Sequence, residues 1–136
     1  MADRPLTIFQ VAGRAMSAQL VRLNTTASNL ANAGVVSGSA DTAYRTKKPV
    51  FRTEFDNASG LATVNVESIV TAGGEPTKTY DPTNALADRD GNVYEAVVDE
   101  TREFVDMLES SRNFQNNVEV MQTAKSLILD TLKLGR

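Results

Sequence analysis

Asp81, Asp88 and Asp90 are the residues of this 136-residue sequence whose type and spacing come nearest to chemistry. Clustered carboxylates suggest a calcium loop or the paired acids of a glycoside hydrolase. These three lack the full loop spacing of an EF-hand and its terminal Glu, and paired acids need a cleft that this chain has little core to build. Turn-forming Asp is the expected role. The sequence contains no Cys and no His. That removes a disulfide framework, the thiol nucleophile, the thiolate metal site, the usual general base and the commonest metal ligand. Gly73-Gly74 is not a phosphate loop, because neither the Lys nor the helix that such a loop needs comes after it. The expectation is a protein that is not an enzyme, with no catalytic, cofactor-binding or metal residues; an enzyme working through its carboxylates is the rival.

Bulk properties narrow the class further. Lys and Arg number 14 against 17 Asp and Glu, a net charge of −3, which argues against nucleic acid as a partner. Hydrophobic residues are 41%, charged residues 23% and aromatics 6% with no Trp, so one soluble domain with a lean core is expected. No apolar run approaches the ~20 residues that span a bilayer. Met1 to Arg14 carries neither a continuous apolar core nor a small-residue cleavage site, so no cleavable secretory signal is expected there.

Glycine and proline divide the chain into three: 1–34, 35–98 and 99–136. The spacing predicts a first helix over Pro5 to Ala33, about 29 residues or ~43 Å long. Asp3 is its expected N-cap, Pro5 fits its first turn, and Gly34 its left-handed C-cap. Phe9, Gly13, Met16, Leu20, Leu23, Ala27 and Leu30 alternate by four and three, the heptad spacing of a helix–helix seam. A second helix is predicted over Asp99 to Leu134, a stretch free of Gly and Pro. Its stripe is Phe104, Met107, Ser111, Phe114, Val118, Met121, Lys125, Ile128 and Leu132. Asp99, Glu100 and Glu103 suit the positive end of the helix dipole and Lys133 the negative end, with Gly135 as the stop.

The middle reads as loop and strand. Gly34 to Thr42 is small and polar, Val64, Val66, Ile69 and Val70 suggest a strand, and Gly73-Gly74, Asp81-Pro82 and Asp90-Gly91-Asn92 suggest turns. One β-hairpin or a small three-stranded sheet is expected. The fold class is therefore mainly α with a small β insert, the long N- and C-terminal helices pairing as an antiparallel coiled coil. Phe9, Met16, Leu20, Leu23 and Leu30 are expected to meet Phe104, Phe114, Val118, Met121 and Ile128 in the seam. Ile8, Val11, Ala12, Ala15, Ala18, Val105, Leu108, Leu127, Leu129 and Leu134 fall outside it, which leaves a second apolar surface for a neighbour or for the insert. A generic coiled-coil adaptor would satisfy the heptads alone.

Ser28-Asn29-Leu30-Ala31-Asn32-Ala33, closing the first helix, resembles the Asn-Leu-Ala-Asn signature of the bacterial flagellar basal-body rod proteins. Ala15 to Gln19, Arg22-Leu23-Asn24, Tyr80-Asp81-Pro82, Leu86-Ala87-Asp88, Ser111 to Met121 and Thr123 to Leu127 are similar to the proximal-rod members in order and spacing. Asn84-Ala85 stands where such proteins often carry His-Pro, and Glu95-Ala96-Val97 where they often carry Pro-Asn-Val.

The resemblance implies a structural subunit that leaves the cell through the flagellar type III export apparatus and assembles in the periplasm. Copies of itself and other rod proteins would be its partners, with the terminal helices packing into a torque-transmitting tube. It also implies that Asn29, Asn32, Asn116 and Asn117 make polar contacts between subunits, where the bland alternative for Asn29 and Asn32 is a fraying helix end. Lys125 either fixes register or snorkels to solvent. Arg45, Lys47, Lys48 and Arg52 either meet an acidic neighbour or form a solvated basic strand.

Overall fold

The computed structural model describes residues 6–135. Its first helix, α1 (Ile8–Ala31), starts later than the spacing predicts, because Thr7 builds a capping box. The Thr7 hydroxyl accepts from the Gln10 N–H at 3.3 Å, and the Thr7 N–H donates to Gln10 Oε1 at 2.9 Å. Asp3 and Pro5, the expected cap and first turn, lie outside the described residues. At the other end Asn32, not a left-handed Gly34, is the C-cap. The last helix, α2 (Glu100–Leu134), is capped by Asp99, whose carboxylate accepts from the Arg102 N–H at 3.1 Å, and it stops at Gly135.

Five strands separate the helices: β1 (Val36–Ser37), β2 (Lys47–Asp56), β3 (Leu61–Thr71), β4 (Lys78–Tyr80) and β5 (Asn92–Glu95). β2 and β3 form a long antiparallel hairpin whose register shifts between Val50 and Phe51. β1, β5 and β4 form a small antiparallel sheet, in that order, around the buried Val93. Backbone hydrogen bonds join the two sheets at the hairpin base: Thr46 N–H to Val97 O at 3.1 Å, Val97 N–H to Tyr44 O at 2.8 Å and Ala72 N–H to Thr46 O at 2.7 Å. Close by, Gly73 has φ +104, and a Cβ there would lie 2.9 Å from Val97 Cγ1, so both the turn and the contact require glycine.

The expected fold class is corrected on two counts. Helix takes 45% of the structure and strand 25%, so the β region is a second structural layer and not a small insert. Nor is the helix pair a coiled coil. α1 and α2 run in opposite directions, Asn29 meeting Glu103 at one end and Ile8 lying beside Val120, Ala124 and Leu127 at the other. A coiled coil buries large apolar knobs. Here the buried helix residues are Ala12, Ala18, Thr25, Thr26, Asn29, Glu103 and Ser110. The physical reason is that α1 has two partners. The hairpin lies along it, ten to eleven residues of strand matching a helix of ~36 Å. Small and polar side chains on α1 let both neighbours approach.

Four apolar residues, Ala12, Ala18, Ala43 and Val93, are fully buried among the described residues. The accessible surface of this 14.7 kDa chain is 9419 Å². A compact monomer of that mass exposes about 6,900 Å². The excess of roughly 2,500 Å² is of the order that permanent assemblies bury.

Candidate subunit interface

The helices, hairpin and preceding loop are held by one buried side chain. Asn29 is 1% exposed, and its amide satisfies both donors and both acceptor positions. Oδ1 accepts from Tyr44 Oη–H at 2.8 Å and from the Lys47 N–H at 2.9 Å. Nδ2 donates to Lys47 O at 2.9 Å and to Glu103 Oε2 at 2.8 Å. The amide thus continues the edge of β2 as another strand would, while it grips α2. Glu103 is itself buried, with Lys48 Nζ 3.9 Å from Oε1; the same ammonium lies 3.8 Å from Asp106 Oδ2. One turn further along α2, the fully buried Ser110 hydroxyl donates to Asp106 O at 2.7 Å.

Asn29 is therefore occupied within its own chain, which leaves nothing for the expected contact between subunits. Asn32 is half-buried and donates to Ser28 O at 2.8 Å, and Asn117 donates to Asn113 O at 3.0 Å. Asn116 is exposed. Sequence reading singled out Asn29 but missed Tyr44 and Glu103 as its partners. An Asn inside a helix was the available signal; a buried Glu in a first turn looks like an ordinary dipole partner.

The apolar stripes are offset by one position from several of the most buried helix residues. Buried Ala12, Thr26, Asn29, Glu103 and Ser110 each precede a stripe residue by one position, about 100° around a helix. Among the expected seam residues, Leu20, Phe104 and Ile128 are exposed. Phe9, Met16, Leu23, Leu30, Phe114, Val118 and Met121 are half-buried. Arg14 and Ala18 face the hairpin, so the α1 stripe turns to the opposite flank. Among the described residues, every one from Lys125 to Gly135 is exposed, with Leu127, beside Ile8, at 63%, Leu132 at 64% and Leu134 at 87%. Lys125 stands in solvent at the start of this free end.

Charged groups elsewhere settle locally. Lys47 sits 5.7 Å from the Tyr44 ring centroid, and Arg52 pairs with Glu67 across the hairpin. Asp81 and Asp88 shape turns: the Thr83 hydroxyl holds the Asp81 carboxyl below its usual range, and the Asn92 N–H does the same for Asp88. No group of acidic residues that would hold a metal is present among the described residues.

At the hairpin tip, Asp56 ties down the start of α1. Its Oδ2 accepts from the Leu6 N–H at 2.9 Å and from Ser59 Oγ–H at 2.6 Å, and Oδ1 accepts from the Ala58 N–H at 3.1 Å. These bonds, Leu6 first, lower its pKa to about 2. A carboxylate with a depressed folded-state pKa stabilises above its unfolded value, and that contribution fades as pH falls through the folded one. The tie is thus intact above about pH 4 and lost toward pH 2. In an NMR titration the Leu6 amide shift should report a midpoint near 2; a midpoint near 3.8 would show that Asp56 does not hold it.

Uncovered apolar helix flanks around a rigid polar joint define an assembling structural protein. Residues 9–38 match the family model described as flagella basal body rod protein, and residues 89–134 match that for the C-terminal region of the flagellar basal body rod FlgEFG proteins. The chain is 44% identical to the flagellar basal-body rod protein FlgC of Salmonella typhimurium over 133 residues, covering 96% of this chain and 98% of that one. It is 41% identical to FlgC of Escherichia coli O157:H7, with the same shares covered, and 34% identical to that of Agrobacterium fabrum over 92% of this chain and 91% of the relative. The chain belongs to the FlgC family and is a structural subunit of the flagellar basal-body rod.

Proposed function

We propose that the chain is a non-enzymatic subunit of the proximal rod, polymerising through its helix pair into part of the drive shaft and of the export tube inside it. Residues 1–34 and 99–136 are the assembly segments, and 35–98 reach adjacent components. The apolar flank that includes Leu20 and Phe104, together with the free end of α2, receives helices of neighbouring copies and other rod proteins. Asn32, Asn116 and Asn117 supply polar contacts beside them. The chain reaches the periplasm through the flagellar type III export apparatus.

The single observation that carries this reading is the apolar surface left uncovered on α2 from Leu127 to Leu134. Isolated soluble chains rarely leave so contiguous an apolar stretch in water. The test is complementation of a flagellated relative that lacks its own FlgC. Restored motility, with the chain present in purified basal bodies, is the expected result. A chain exported but absent from basal bodies overturns the assembly role, and one retained in the cytoplasm overturns the export route.

A further inference from the structure

We propose that the β2–β3 hairpin is a detachable arm, opening away from α1 as a unit while it pivots at its Asn29-anchored base. Two side-chain oxygens, Gln19 Oε1 and Thr63 Oγ1, are buried without a hydrogen-bond partner among the described residues, and both lie where α1 meets the hairpin. Gln19 borders a cavity of about 200 Å³ shared by Ala18, Arg22, Phe51 and Val64. A contact that strands two polar atoms closes weakly, since each would regain a partner in water on opening.

The ends of the hairpin differ in the same sense. Its base carries the two bonds between Asn29 and Lys47, with Asn29 further fixed by Tyr44 and Glu103. Its tip is held by the Asp56–Leu6 tie and by an Arg14–Glu54 pair at 3.5 Å whose side chains are 43% and 50% exposed. Exposed pairs of that kind contribute little. Between base and tip the Arg22 guanidinium lies over the Phe51 ring, 4.9 Å from its centroid, and Ala18 lies near Val64. Local stability therefore falls from base to tip. Opening presents Ala18 of α1 and Phe51 and Val64 of the hairpin to a neighbouring chain, a second apolar surface beside the helix flank.

The full-length chain has no native cysteine, so single thiols report this motion directly. Ala18→Cys and Val64→Cys probe the arm contact, and Ser110→Cys, at a fully buried site between the helices, is the reference. With a small thiol reagent under native conditions, the two arm probes should label at least 100-fold faster than the reference. Adding Gln19→Leu and Thr63→Val should slow labelling of Ala18→Cys at least tenfold. Equal rates at all three sites would overturn the proposal, because access would then require global unfolding. A fast arm probe that the added pair leaves unchanged would also overturn it, since the two stranded oxygens would not set the opening.

Discussion

Leu127→Asp combined with Leu132→Asp leaves the fold intact and abolishes incorporation into rods. Both side chains stand about two-thirds in solvent, so aspartate at either position costs the isolated chain little. In the assembled state each carboxylate would enter an apolar helix contact, where an unpaired charge costs several kcal/mol. Two such charges on one helix end weaken association by more than about a thousandfold, since each 1.4 kcal/mol is a factor of ten. Unchanged circular dichroism and urea midpoint, together with loss of the variant from basal bodies, is the expected pair of results. Normal incorporation would mean that this helix end lies free in the rod. Leu127→Ala should weaken assembly by far less, because it removes contact area without adding charge.

Asn29→Ala should destabilise the chain by about 3 kcal/mol, the largest effect expected of any single polar truncation here. The substitution removes four hydrogen bonds at once, and most of the penalty comes from what stays behind. The Lys47 N–H and C=O lose their partner, and Glu103, 3% exposed, keeps only a distant Lys48 ammonium. Asn29→Asp should be nearly as damaging: a carboxylate has no N–H for Lys47 O and would face the Glu103 carboxylate. Equilibrium urea unfolding measures both. A loss below about 0.5 kcal/mol for the alanine variant, the scale of an ordinary surface substitution, would show that the joint is not what holds the elements together.

Helix was the most legible part of the sequence. Gly and Pro punctuation and three-four spacing located both helices to within a few residues, with the acidic first turn of α2 and its stop at Gly135, although Asp99 proves to be its N-cap and not a first-turn residue. The phase of the packing was not legible. Large residues such as Leu20 and Phe104 look like seam residues, yet the buried helix residues include Ala12, Asn29, Glu103 and Ser110, while Ala18 is buried against the hairpin that shares α1. The apolar residues of α1 outside the seam, Ala15 and Ala18 among them, call for a second partner but do not decide between a neighbouring chain and the hairpin. The hairpin was obscure for its own reasons. Pro49 and two adjacent lysines disguise β2, and the register shift at Val50/Phe51 breaks the alternation that identifies a half-buried strand. Polar residues at the joint were hardest of all, since burial of Glu103 depends on Asn29, 74 positions away.

The central claim is that the apolar flank and the free end of α2 are covered by other rod subunits. Site-specific photo-crosslinking in assembled basal bodies tests it most directly, with the photoreactive residue placed in turn at Leu20, Phe104 and Leu132, and at buried Ala12 for comparison. Covalent products joining this chain to a second rod chain from the first three positions, and none from Ala12, is the predicted result. Basal bodies that contain the chain but give no intermolecular product from Leu20, Phe104 or Leu132 would contradict it.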